Sequence, residues 1–124
     1  MPQHPQEKLF DDVCGHVRQT AVLASVESLL GWDEQTMMPP QAAAHRAAQM
    51  EAVATLVHRH RCDPAHGERL AALAAGSLAR DGDPRIRSAI RLLLKDFEKH
   101  SRVPERLVGT LAKTCVEAQQ AWVT

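Results

Sequence analysis

The chain of 124 residues is 44% hydrophobic and 24% charged, and its 15 Lys and Arg residues balance 15 Asp and Glu residues. This composition is that of a soluble globular protein, not of a disordered or fibrous chain, and the length suits a single domain over residues 1–124 with one hydrophobic core. The formal net charge of zero removes the long-range attraction that brings basic proteins to nucleic acids or anionic membranes, so neither partner is expected.

The first predicted helix extends from about Gln6 to Leu30. Its apolar residues recur at helical spacing, beginning with Phe10, Val13 and Val17, and the apolar stripe widens toward the end of the segment. We therefore expect the end near Leu30 to be the most deeply buried part of this helix.

The segment Gly31–Pro40 is predicted to connect the first two helices. It holds one of only two tryptophans in the chain, together with two methionines and two prolines. We expect Trp32 and the methionines to pack inward in a rigid connection, with Asp33 and Thr36 capping neighbouring backbone groups. A ligand contact by this segment is the alternative.

The second helix is predicted from about Ala42 to Arg61. Alanines such as Ala47 and Ala54 lie on one side, where small residues allow another helix to approach closely, and Arg46 and His58 are among its polar positions.

Two Asp-Pro pairs mark the starts of the third and fourth helices. The aspartate of Asp63-Pro64 or Asp83-Pro84 can accept a backbone hydrogen bond, and the proline has no N–H to leave unpaired. The third helix should be short and end near Ala75, before Gly76. The fourth is the clearest amphipathic helix of the chain. Its apolar residues are Ile86, Ile90, Leu93, Leu94 and Phe97.

The fifth helix should begin near Pro104 and carry one apolar face. The residues of that face are Leu107, Leu111, Cys115, Ala118 and Trp122. No segment alternates between apolar and polar residues with a period of two, and Ala and Leu dominate, so strands are not expected. The sequence predicts an all-α fold, an array or bundle of about five helices.

Cysteine spacing and the absence of long apolar runs bear on the compartment. Cys14, Cys62 and Cys115 are far apart and form no CxxC pair, which fits neither a disulfide framework nor a zinc knuckle. No run of about 18 apolar residues occurs, and no apolar signal segment follows Met1. We expect a soluble, untargeted protein of the reducing cytoplasm.

The seven histidines do not form a recognisable metal-binding motif. No two are four residues apart, and none is followed directly by Glu, so the zinc-binding sequence HExxH is absent from the chain. Asp12 with His16, or Glu51 with His58, could bind a metal only together with groups from another helix. An ordinary solvated helix face is the favoured interpretation of both pairs, so no catalytic or metal-binding residue is predicted.

Other candidate groups also favour structural interpretations. Cys14 and Cys115 lie on apolar faces and are expected to be buried structural thiols and not nucleophiles. There is a local basic cluster of Arg80, Arg85, Arg87 and Arg91, but Asp81 and Asp83 lie between its first two members and almost no aromatic residues are beside it. This composition indicates a solvated surface.

The segment that begins at Leu30 resembles the N-terminal signature of the carboxypeptidase Taq family of metallocarboxypeptidases, which reads roughly Leu-x-Trp-Asp-x-x-Thr-x-Met-Pro and is followed by a helix with Arg and Gln. The matching residues are Leu30, Trp32, Asp33, Thr36, Met38, Pro39, Arg46 and Gln49. Further matches, including Asp63-Pro64 and Val103-Pro104, extend the resemblance over nearly the whole chain. One departure is Gln41-Ala42, where family members usually have a glycine pair.

The resemblance implies a mostly helical, cytoplasmic peptidase that uses zinc or cobalt to release C-terminal residues from peptides, often as a homodimer. In such enzymes the N-terminal helices form part of the wall or lid of a deep cleft. The family's HExxH helix has no counterpart in these 124 residues, so no catalytic residue, metal ligand or cofactor of the family can be assigned to this chain.

Three hypotheses follow. The first is an N-terminal helical domain of such a carboxypeptidase that is inactive alone, with exposed apolar faces that contact the remainder of the enzyme or drive self-association. The second is a free-standing helical adaptor for another protein, which would lack a large apolar patch. The third is a metal-binding bundle that uses His16, His58 or other histidines from different helices.

Overall fold

A computed structural model describes residues 5–124 of the protein, and every described element is helical. The all-α prediction is therefore confirmed over this range. The helices are α1 (Pro5–Thr36), α2 (Ala43–Arg61), α3 (Pro64–Ala74), α4 (Ser77–Asp81), α5 (Pro84–Ser101) and α6 (Glu105–Val123), with a single 3-10 turn at Pro40–Ala42 before α2. His4 and the N-terminal residues considered for targeting lie outside the described residues.

The described chain divides into two compact units. Unit 1 contains the first part of α1, up to Gln19, together with residues 61–102, and unit 2 contains residues 20–60 and 103–124. The sequence predicted a single domain over residues 1–124. Whether the two units fold together as one domain stays a prediction.

Unit 1 has a core built from α1, α3 and α5. Val13, Leu70, Leu73 and Ile90 are fully or almost fully buried. The remaining residues of the predicted α5 stripe pack against them, so the amphipathic pattern identified this face correctly. Close packing is evident at Gly67, where an added Cβ would clash with the ring of Phe97.

The Asp-Pro helix starts are confirmed. Oδ1 of Asp63 accepts a hydrogen bond from the N–H of Ala65 at 3.1 Å, and Oδ1 of Asp83 accepts one from the N–H of Arg85 at 2.8 Å. These caps satisfy backbone donors that have no partner within the helix.

The short helix α4 was not predicted. Leu78 and Ala79 pack against the core of unit 1, and the Gln6 side chain accepts a hydrogen bond from the N–H of Leu78 at 3.2 Å. These contacts join residues that are distant in the sequence, which explains why the local signal at Gly76 indicated only a break.

Unit 2 is formed by the later part of α1 with α2 and α6. The predicted small-residue side of α2 is buried at Ala47, Ala54 and Val57. At Gly109 of α6 an added Cβ would lie 2.8 Å from Oγ1 of Thr55, so the glycine allows α6 to lie close against α2.

Two burial predictions for this unit are wrong. The end of α1 is not deeply buried, because Val22, Val26 and Leu29 are exposed. His58, assigned to a polar position on α2, is only 7% exposed.

None of the helices within residues 5–124 is both long and apolar enough to cross a membrane.

Candidate functional site

The side chain of Arg46 is the centre of the predicted signature segment. Its Nη2 donates to Oδ2 of Asp33 at 2.6 Å, its Nη1 to the backbone oxygen of Leu30 at 2.7 Å, and its Nε to Oε1 of Gln49 at 3.0 Å. The Arg46 side chain is 11% exposed and that of Asp33 is 37% exposed. We call these four residues the Arg46 junction; it joins the end of α1 to the start of α2.

Helix α1 is longer than the sequence predicted. The prediction ended the first helix near Leu30, before Gly31, but α1 continues to Thr36. Gly31 has no positive φ, and an added Cβ there would meet nothing within 4 Å, so the glycine is an ordinary helical residue. The bonds from Arg46 to Leu30 and Asp33, on either side of Gly31, hold this last part of the helix to α2.

The helix ends with backbone bonds and a proline pair. The backbone oxygen of Asp33 accepts from the N–H groups of Met37 and Met38, both at 2.9 Å, and Oγ1 of Thr36 donates to the backbone oxygen of Trp32 at 2.7 Å. Thr36 therefore bonds the backbone as predicted. The capping role predicted for Asp33 is wrong, because its carboxylate pairs with Arg46.

The inward packing predicted for the connection is also wrong. Trp32 is 60% exposed and Met37 is 71% exposed, and Pro39 is exposed as well, while Met38 is partly buried. The prediction assumed that large apolar side chains in a connection between helices pack into the nearby core. Here the segment is mostly helix, and the side of it that faces α2 carries the ion pair instead.

The chemistry available at the Arg46 junction is that of structural polar bonding. A guanidinium group can only donate hydrogen bonds, and here each of the three nitrogens of Arg46 donates one. The only side chain of the four that could transfer a proton is that of Asp33, and its carboxylate is bonded to Arg46. The junction positions two helices, and the exposed Trp32 beside it is available to another surface.

The histidines that the structure describes have other surroundings than a metal site. The ring of His16 stacks on that of His66, with centroids 4.0 Å apart, and Phe97 meets His66 edge-on at 6.0 Å. On α2, Nδ1 of His60 lies 2.6 Å from Oγ1 of Thr20. Within residues 5–124 no group of three or more His, Cys, Asp or Glu side chains has the arrangement needed to hold a metal ion.

The two cysteines considered as nucleophiles differ in environment. Burial raises the pKa of the Cys14 thiol, and this effect exceeds the opposing effect of Arg18, so the reactive thiolate is disfavoured. Cys115 is exposed, so the prediction of a buried thiol is wrong at this position.

The apolar face predicted for α6 is exposed over most of its length. Its members are exposed, with Leu107 at 54%, Leu111 at 60% and Trp122 at 88%. We call the exposed row the α6 stripe; it consists of Leu107, Leu111, Cys115, Ala118 and Trp122.

The residues of α6 that pack inward lie on a neighbouring face of the helix. Gly109 and Val116 are buried, and Val108 and Ala112 are partly buried. The sequence predicted one apolar face where the helix has two. Gly109 was the available signal, because a helical glycine often marks a close helix contact.

These features define an all-α protein with a structural ion-pair junction and an uncovered apolar helix face, and without a metal-ligand set among the described residues. The sequence profile of the Carboxypeptidase Taq (M32) metallopeptidase family matches residues 12–124. The chain belongs to this family.

A curated relative has the same affiliation. The chain is 34% identical over 116 residues to thermostable carboxypeptidase 1 of Thermus thermophilus, an alignment that covers 94% of this chain and 23% of that protein. The chain thus spans less than a quarter of the length of the relative. No solved structure has significant similarity to this chain.

Proposed function

We propose that this chain supplies a non-catalytic helical part of a metal-dependent carboxypeptidase, an enzyme that releases C-terminal residues from peptides. The observation that carries the proposal is the family match over residues 12–124, combined with coverage of only 23% of the carboxypeptidase relative. We further propose that the chain corresponds to the N-terminal helices of such an enzyme and is inactive alone.

The metal chemistry belongs to other residues of a longer protein in this proposal. The described residues offer no suitable ligand group, and the 124 residues contain no HExxH sequence. Zinc or cobalt, the metals that the resemblance implies, therefore does not fit this chain, and we derive no reaction step from it. What the chain contributes is a shaped helical surface.

The proposed partner surface is the α6 stripe. Leu107, Leu111 and Trp122 are more than half exposed, and contiguous apolar surface of this kind marks an interaction site. We propose that the remainder of the peptidase covers it, or that a second copy does so when the chain is alone. The adaptor hypothesis expected no large apolar patch, so the stripe supports the first hypothesis.

The location of the protein is also part of the proposal. Three cysteines that are far apart in the sequence and form no CxxC pair are typical of a reducing compartment. We place the enzyme in the cytoplasm, with peptides as its substrates only when the catalytic part is present.

A chimeric enzyme tests the proposal. The region of thermostable carboxypeptidase 1 that aligns with this chain is replaced by the chain, and metal-dependent release of the C-terminal residue from a blocked dipeptide is followed by mass spectrometry. We expect the chimera to fold and to have carboxypeptidase activity. The control is thermostable carboxypeptidase 1 from which that region has been deleted, and we expect it to be inactive. A folded, metal-loaded chimera without hydrolysis would contradict the proposal.

A further inference from the structure

An open groove of about 560 Å³ lies beside α5 in unit 1, and the proposed function does not use it. Ala74, Ala79, Ile90 and Leu94 give it an apolar lining. Its volume is within the range of cavities that bind small ligands and short peptides.

A row of cations follows this groove. Arg87, Arg91 and Lys95 line it and are exposed, and they are four residues apart on α5. Residues at this spacing lie above one another on a helix, about 6 Å apart along its axis. Glu98 is the one acidic residue of the lining, so the charge along the groove is positive.

The cations of this row have no acidic partner among residues 5–124. The ion pairs of the described chain involve other basic residues, including Arg85, which pairs with Asp83 at the start of the same helix. Like charges four residues apart on a helix repel. The row is therefore left uncompensated along the groove while a neighbouring arginine is paired.

We propose that the groove binds a short acidic peptide in an extended conformation. Side chains two residues apart in an extended chain are about 6.6 Å apart, which is close to the spacing of the cations. Carboxylates at alternate positions can therefore each meet one cation, and Arg87 and Arg91 can bind carboxylates with two hydrogen bonds.

The peptide Glu-Leu-Glu-Leu-Glu, blocked at both ends and fluorescently labelled, serves as the probe. Fluorescence anisotropy at low ionic strength should give saturable binding that weakens as salt is added, because exposed charges are screened. The corresponding Gln-Leu-Gln-Leu-Gln peptide should not bind. This test uses the chain alone and does not depend on the proposed peptidase role.

Matched double variants locate the site. Arg87→Gln with Arg91→Gln should weaken binding by about tenfold or more, equivalent to about 1.4 kcal/mol. Arg106→Gln with Lys113→Gln removes the same charge from exposed positions of α6 and should leave the affinity within about twofold, since surface charges away from the site contribute little. Circular dichroism checks that all variants keep their helix content.

Several results would overturn the inference. These are no saturable binding of the acidic peptide, equal losses in the two double variants, or binding that is insensitive to salt. Binding of anionic phospholipid vesicles without binding of the peptide would indicate that the cations contact a membrane surface. This result would also overturn the proposal of a peptide-binding groove.

Discussion

Arg46 combines three polar contacts that come from separate parts of the chain: a carboxylate, a backbone oxygen and an amide oxygen. The carboxylate of Asp33 retains some contact with water, whereas the guanidinium is nearly buried. Removal of the guanidinium therefore leaves hydrogen-bond acceptors without donors at partly buried positions. The resulting loss of stability exceeds the net contribution of an ordinary surface ion pair.

The first prediction concerns this residue. Arg46→Gln should lower the free energy of unfolding by about 2 kcal/mol, because hydrogen bonds to charged groups are lost and their partners stay partly buried. Arg46→Lys should recover part of the loss, since an ammonium keeps the charge but cannot reach three directions as a planar fork does. Urea unfolding followed by circular dichroism measures both.

Arg106→Gln is the matched control for Arg46. This side chain is exposed on α6, and its replacement should change the free energy of unfolding by less than about 0.5 kcal/mol. Equal stability of the Arg46→Gln and Arg106→Gln proteins would show that the junction is not a structural support.

The second prediction is a pH dependence at the start of α5. Asp83 accepts hydrogen bonds from the backbone N–H and from the side chain of Arg85. These bonds hold the pKa of the Asp83 carboxyl below its ordinary value, and the backbone bond has the larger effect. A lowered folded-state pKa means that the stabilisation is present above the unfolded-state value, about 4, and is lost as the pH falls through the lower folded-state value.

Asp83→Ala should accordingly lower the melting temperature at pH 7, and the difference from the unaltered chain should shrink as the pH falls below about 4. Thermal unfolding over this pH range provides the measurement, with Asp81→Ala as a control on an exposed carboxylate nearby. A difference that grows in acid would contradict the assigned cap.

At the scale of helices, local signals predicted the starts better than the ends. Asp63-Pro64 and Asp83-Pro84 begin helices because their capping chemistry is local. Gly31 was expected to end α1, but bonds from Arg46 on another helix extend it to Thr36. A contact that joins residues 13 or 16 positions apart is not visible in local periodicity.

The third prediction compares two helical glycines. Gly31→Ala should raise the free energy of unfolding by about 1 kcal/mol, because alanine favours the helix and its Cβ meets nothing within 4 Å. Gly109→Ala should lower stability despite the same gain in helix propensity, because its Cβ would lie 2.8 Å from Oγ1 of Thr55. Denaturant unfolding of the two variants gives the comparison.

Thr55 provides the check on this explanation. The Thr55→Ala substitution removes the atom that Gly109→Ala would contact, so the two changes together should cost less than the sum of the separate effects. Additive losses would mean that close approach of α6 to α2 is not the cause.

At the scale of the whole molecule, the sequence identified the fold class, most helices and the core face of α5, because these depend on periodicity and capping. It did not identify which face of α6 is covered, since two neighbouring faces carry apolar residues and tertiary contacts at Gly109 decide between them. The signature residues were found by resemblance, but their Arg46-centred bonding could not be read from spacing alone.

The fourth prediction follows from the exposed α6 stripe. The purified chain should self-associate at high concentration, and Leu111→Gln should weaken this association without lowering the free energy of unfolding, because Leu111 is 60% exposed. Sedimentation equilibrium measures the association. Thr110→Gln, at the neighbouring exposed position, should leave it unchanged; equal effects of the two variants would contradict a role for the stripe.

The central claim is that the carboxypeptidase chemistry of this family lies outside these 124 residues. The most direct measurement is an assay of the purified, folded chain alone with a blocked dipeptide and added zinc or cobalt, with the products analysed by mass spectrometry and thermostable carboxypeptidase 1 as the active control. We predict no release of the C-terminal residue. Metal-dependent release that follows the chain through purification would contradict the claim and would place an active site within these helices.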